Sequence, residues 1–414
     1  MKQSRLSHVL FTSNFIIFFT GAGLLPVLPL YATQLGATAT MVGFYLAFTY
    51  VSITAGTMLT GWLSERVMVK KLFLSAGVLG APALALLGQA TALWQVIIST
   101  AVVWFVGGVG LTLVSILTGL CAEKKSRGKL FGLMFLANPL AAVSSGLAIG
   151  YLLAWQGYPL MFAILGLIWA IWPVVVLFGL EEDQVCQAAT PARQNVAAPA
   201  APLGNIFYLV LLVTLLSSVA VYIGRLGTSL SMQALDFSPS AVASTAVVGG
   251  LVTVPITPMM GTLSDRLGRR RLLLLSYLLA AAGAITLSVA THLWHFWLGT
   301  AILFIVISAN GSLAAALVTD LLTPESVRRG LPRLNAMSRI AGIIGFASTG
   351  LMTDTLGATA TYLIAAALSL VAAGFLALLL RRRQAITPIP TRRPQTQFGR
   401  FKPTRPRTAG CVPS

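Results

Sequence analysis

An all-α membrane protein, twelve transmembrane helices in two six-helix bundles related by pseudo-twofold symmetry, is the fold class this sequence predicts. Three observations carry it. Of 414 residues, 57% are hydrophobic and only 9% charged, far below the roughly 25% charged of an ordinary soluble chain. Four stretches, 6–64, 72–122, 130–180 and 272–319, contain no Asp, Glu, Lys or Arg. Each is long enough for two helices of the ~20 residues that cross a ~30 Å hydrocarbon core. Third, the basic residues gather in the loops between such helical pairs. Composition excludes a water-soluble globule, a disordered chain and a collagen.

In chain order the predicted spans are 8–31, 40–62, 72–90, 95–120, 130–154 and 159–180. The second half gives 206–234, 240–262, 272–290, 294–318, 332–353 and 357–380. Uncharged breaks at 32–39, 90–94, 156–159 and 290–294 divide the hairpins, and the basic loops join them. Residues 1–180 thus form an N-terminal bundle and 206–380 a C-terminal one. The Ala/Pro-rich stretch 181–205 reads as a cytoplasmic linker, and 381–414 as a disordered basic cytoplasmic tail.

With twelve spans, 26 of the 28 Lys and Arg fall on one side of the membrane. The positive-inside rule makes that side cytoplasmic, with both termini on it. The apolar stretch from Val9 exceeds the ~7–15 residues of a signal-peptide core, so it reads as a span. The net charge of +18 is therefore topology rather than a nucleic-acid footprint, and the tail is suited to anionic headgroups. Cys121, Cys186 and Cys411 all lie toward the cytoplasmic side, where disulfides do not persist. His8, His292 and His295 are too scattered for a metal, so no metal site and no cofactor is expected.

The chain repeats itself. At an offset of 200, GWLSERV (61–67) aligns without a gap on GTLSDRL (261–267), and Leu30, Leu35, Val42 and Thr57 align on Leu230, Leu235, Val242 and Thr257. Parallel six-helix repeats are one architecture of secondary transporters.

These duplicated loops resemble the signature of the major facilitator superfamily, G-x-L-[ST]-[DE]-R-x-G-[RK]-[RK]. The second copy is complete through Gly261, Asp265, Arg266, Gly268 and Arg269. The first keeps Gly61, Glu65 and Arg66 but has Met68 where the second Gly belongs. The resemblance, over about 8–380, implies a transporter whose signature residues latch the cytoplasmic face in the outward-open state. In it Glu65 faces the start of helix 11 and Asp265 the start of helix 5. The chain departs from the drug-exporting antiporters at helix 4, where their R-x-x-x-G-x-G has Trp104 before Gly108 and Gly110. It departs again at helix 5, where Gly146 and Gly150 stand without the usual Gly-Pro pair.

All ten acids lie in loops or at helix ends, although a site for lipophilic cations or protons usually places one inside the membrane. Arg225 and Arg339 are the inverse, two basic residues within spans. Counted from Ala234, Arg225 lies ~14 Å deep, and counted from Pro332, Arg339 lies ~10 Å deep. For each, the alternatives are a cavity-lining site for an anion or hydrogen bond, or a structural Arg bonded to carbonyls or reaching outward. Asn14, Thr20, Tyr45, Tyr50, Asn138, Tyr222 and Asn310 sit on helices that line the cavity in the family, and each could equally join helices. Pro26, Pro29, Pro139, Pro255 and Pro258 mark helices suited to bending.

The expectation is an inner-membrane secondary transporter of a small organic molecule, working by alternating access as an efflux-type permease. Its partners are that substrate and membrane lipids, without nucleic acid, in a monomer; the coupling ion is open, a proton among the candidates. The alternatives are an importer or facilitator of an organic anion, favoured by the two arginines, and a non-transporting membrane sensor. A membrane enzyme lacks the necessary His, Cys or acid constellation.

Overall fold

The computed structural model describes residues 2–64, 66–121, 127–180, 203–322 and 324–384. Eight helices are unbroken: α1 (Lys2–Gln34), α2 (Ala39–Leu63), α3 (Val69–Leu87), α4 (Leu93–Cys121), α7 (Asn205–Ala234), α8 (Pro239–Leu267), α9 (Arg269–Ser288) and α10 (Leu293–Leu321). Two longer runs, Arg127–Gly179 and Pro324–Gln384, each divide at one glycine, Gly157 (φ 74°, ψ −164°) and Gly357 (φ 81°, ψ 167°). They give α5 (127–156), α6 (158–179), α11 (324–356) and α12 (358–384), so the described residues form twelve helices.

The offset of 200 persists at every loop on the side away from the basic residues. Gly36 turns α1 into α2 at φ 84°, and Asp236 takes the matching left-handed position at φ 56°, which Asp tolerates better than most side chains. Thr38 Oγ1 then accepts the Met41 N–H at 3.2 Å and Ser238 Oγ the Ala241 N–H at 3.3 Å, capping α2 and α8. Ahead of α4, Gln95 Oε1 accepts the Thr91 N–H at 2.7 Å. Ahead of α10, His295 Nδ1 accepts the Thr291 N–H at 3.2 Å, so His295 is a helix-start residue.

Several helices extend past the predicted spans. α1 starts at Lys2 instead of 8, α8 runs to Leu267 instead of 262, α11 starts at Pro324 instead of 332, and α12 ends at Gln384 instead of 380. An apolar run marks only what the lipid covers, while the backbone ladder continues into polar turns. Pro332 is accordingly inside α11, and Arg339 lies ~22 Å from the helix start at 1.5 Å per residue. The linker from 181 to 202, the tail from 385 onward and Glu65 are outside the described residues.

Each bundle has its own buried core. In the first, Trp169 and Trp172 are fully buried on α6 with ring centroids 5.2 Å apart. Trp169 Nε1 donates to Gly77 O at 3.1 Å. Outward, large apolar side chains are bare: Met58 is 74% exposed, Leu167 71% and Phe178 71%. An apolar exterior of this extent needs lipid around it.

The bundles meet along two seams, α2 on α11 and α5 on α8, and the contacts lie at the end opposite the basic loops. Glycines bring backbone onto backbone. A Cβ at Gly43 would sit 2.6 Å from Phe346 O, and one at Gly250 would sit 2.8 Å from Pro139 O. Asp354 Oδ2 accepts the Thr40 N–H at 2.7 Å, so an acid of α11 caps α2 across the seam, and Gln233 donates to Thr33 between α7 and α1. At the basic end, nothing lies within 4 Å of a Cβ built on Gly61, and Trp62 is half exposed. Among the described residues the bundles are sealed at one end and parted at the other.

Candidate functional site

Between the seals and the basic end lies a cavity of about 340 Å³ walled by both bundles. α7 contributes Tyr222 and Arg225, α11 contributes Arg339, and α5 contributes Asn138. Thr20 of α1 and Tyr50 of α2 complete the sequence-predicted residues found there. No Asp or Glu lines it among the described residues.

The sealed end of this cavity is aromatic. The Tyr50 and Tyr222 rings stand edge to face at 5.2 Å, and Phe346 lies 5.0 Å from Tyr50 and 5.2 Å from Tyr222. Gly342 of α11 provides the space into which the Tyr50 ring fits. Tyr50 therefore joins the first bundle to the second, within hydrogen-bonding reach of Tyr222 and electrostatic reach of Arg225 and Arg339. The Arg225 guanidinium carbon lies 5.3 Å over the Phe304 ring, inside the ~6 Å range of a cation–π contact.

Three candidates lie elsewhere. Asn14 is buried and its Nδ2 donates to Met134 O at 2.9 Å, tying α1 to α5. Tyr45, 2% exposed, shares a 2.9 Å hydrogen bond with Thr100 Oγ1 of α4. Asn310 donates to Ser217 and Ser218 at 3.3 Å each and lines a smaller pocket of about 180 Å³, with Asn335 and Ser338, that shares Tyr222 with the central cavity. All three are interhelical bonds, worth about 0.6–2 kcal/mol each in a bundle.

Sequence reasoning did not single out Phe304, Trp169, Thr253 or Ser308, which also line the cavity. Trp104 does so as well. The helix 4 position that carries Arg in the antiporter pattern thus holds an indole facing the cavity.

The two signature loops differ in backbone. Gly268 closes α8 at φ 84°, its N–H donating to Ser264 O at 3.0 Å. Met68 occupies the matching place at φ −57°. Among the described residues the first loop has none in the left-handed region, which explains why Met stands where the second loop needs Gly. Arg269 pairs with Asp320 Oδ1 at 2.6 Å and donates to Ala316 O at 2.8 Å, bolting the start of α9 to the end of α10. Arg66 lies 4.0 Å over the Trp62 ring, and Arg266 is exposed.

The family profile described as Major Facilitator Superfamily matches residues 10–232 and 210–410. "Multidrug resistance protein MdtG" of Enterobacter lignolyticus (strain SCF1) is 25% identical over 389 residues, covering 89% of this chain and 91% of the relative. The protein of that name from Proteus mirabilis (strain HI4320) is 26% identical over 355 residues, 79% of this chain and 85% of its own. Among solved structures, a bacterial homologue of the human lysosomal transporter Spinster, inward-facing and unoccupied, superposes with a TM-score of 0.73 at 13% identity, covering 94% of this chain and 99% of the other. The nucleoside transporter NupG gives 0.75 at 13% identity over 90% and 99%. With twelve helices in two repeated bundles, glycine seams and a cavity between them, this integral membrane protein is a secondary transporter, and the chain belongs to the Major Facilitator Superfamily.

Proposed function

We propose that the protein is an efflux-type permease of the inner membrane, moving a small organic molecule by alternating access with the central cavity as its substrate site. The observation that carries this reading is the cavity itself, shared by both bundles, closed at one end by Gly43, Gly350 and Asp354 and parted at the other. The excess of Lys and Arg in the parted loops favours that end as cytoplasmic, so the conformation is cytoplasm-open. Export is favoured by the multidrug resistance relatives. In the opposite state the signature residues Gly61, Glu65, Arg66, Gly261, Asp265, Arg266, Gly268 and Arg269 form the clamp that the family resemblance implies. The second reading, import or facilitated passage of an organic anion, is favoured by Arg225 and Arg339 in a cavity without a lining carboxylate.

Alternating access requires the α2–α11 seam to part in each cycle. Cysteines at Thr40 and Asp354, whose groups touch, should cross-link under oxidation and stop transport by at least tenfold, with recovery on reduction. Normal flux through the cross-linked protein would contradict the mechanism. Flux direction in right-side-out against everted vesicles separates export from import. For orientation, reporter enzymes fused after Arg193 and after Arg383 should both be active in the cytosol, and a periplasmic signal at either would reverse the assignment.

A further inference from the structure

The lining of the cavity points to a ligand class. Arg225 and Arg339 reach the same space from two helices of the second bundle. Guanidinium groups remain protonated even when partly desolvated. Among the described residues neither is ion-paired, and Arg225 lies over the face of Phe304, with Tyr50 within electrostatic reach of both. In the parted state water can solvate both charges. Once the basic end closes that water is reduced, and two like charges in a poorer dielectric need compensation. The protein supplies no carboxylate there, so the ligand is the remaining source.

The other walls define the rest of the molecule. Trp104 and Phe304 present aromatic surface, and Ile17, Leu25 and Val103 aliphatic surface. Tyr50, Tyr222 and Asn138 offer hydrogen bonds near the arginines. About 340 Å³ lies at the small end of the ~300–1,000 Å³ range of ligand cavities. A cationic drug would find aromatic faces but also two positive charges without a counter-charge, and a neutral one would leave both unpaired. We propose that the substrate is a small amphipathic organic anion, its acidic group between Arg225 and Arg339 and its apolar ring against Trp104 and Phe304. This rests on the cavity being the substrate site.

A matched set on one ring system tests it: 2-naphthoate, 2-naphthamide and 2-naphthylmethylamine, each measured for binding to the full-length protein in lipid nanodiscs. The carboxylate should bind at least tenfold tighter than the amide, and the amine should bind weakest. Arg225→Gln and Arg339→Gln should each weaken naphthoate at least tenfold and leave naphthamide within about twofold, at unchanged melting temperature. Arg225→Lys should retain part of the preference because charge remains, and it serves if the Gln variant does not fold. Failure of naphthoate to bind, equal or tighter binding of the amide or amine, or naphthoate affinity indifferent to both substitutions would overturn the anion assignment. Phe304→Ala and Trp104→Ala distinguish the two levels of the argument. If they weaken all bound probes while the arginine variants do nothing, the site stands and the anion class fails. If no cavity substitution alters the binding of any probe, the site reading itself fails.

Discussion

Replacing Gly350 by Val is expected to reduce transport at least fivefold while the protein still inserts and folds. A Cβ at Gly350 would run into Ala39 O and come within 2.9 Å of Gly43 Cα. Both obstacles are backbone, so neither can swing away as a long side chain would. Overpacking of this kind costs about 1–3 kcal/mol, and because the contact exists only when the seam is shut, the penalty falls on one state of the cycle. At 1.4 kcal/mol per decade, the sealed population falls by about 5–150-fold. Labelling of a cysteine at Thr40 by a membrane-impermeant maleimide from the sealed side should rise accordingly. Gly374→Ala, where nothing lies within 4 Å, is the control and should match the parent. Wild-type flux and labelling in Gly350→Val would show that the seam does not gate the pathway.

Truncating Trp169 to Ala should produce the largest loss of thermal stability among single core changes. The side chain is 1% exposed, packs on Trp172 and holds Gly77 O through its indole N–H. Gly80 of α3 leaves the space the ring fills, since a Cβ there would lie 2.8 Å from Trp169 Cζ2. Burying Trp and then removing it typically costs about 3–5 kcal/mol. Trp169→Phe keeps most of the volume and should cost clearly less. Melting in mild detergent compares the two, and a loss of under about 1 kcal/mol for the Ala variant would mean that α3 and α6 re-close around the void.

Much of this architecture was legible because membrane helices advertise themselves. Long uncharged runs gave the spans, and the offset of 200 related the halves through loops as unlike as Gln95 and His295. Helix ends were the weak point, as Pro332 illustrates: it looked like a start and lies inside α11. For the cavity, a charged or amide group in an apolar helix is conspicuous, which is why Arg225, Arg339, Asn138 and Tyr222 stood out and are found together. Helix phase is a different matter. Asn14 and Tyr45 are as polar in sequence as Asn138, yet they point at neighbours within their own bundle. Nothing in an apolar run tells whether an aromatic faces lipid, core or cavity, so Phe304 and Trp169 could be found only by placing the helices.

The tryptophan at position 104 and the missing carboxylates have a consequence for acid–base behaviour. The described cavity lining contains Arg, Tyr, Trp, Thr, Asn and Ser as its polar residues, and none of these has an ordinary titration midpoint near neutrality. Among the described lining residues there is thus no carboxylate or imidazole to take up or release a proton beside the ligand. With a small organic anion as substrate, a weak acid would be selected in its deprotonated form by chemistry it carries itself.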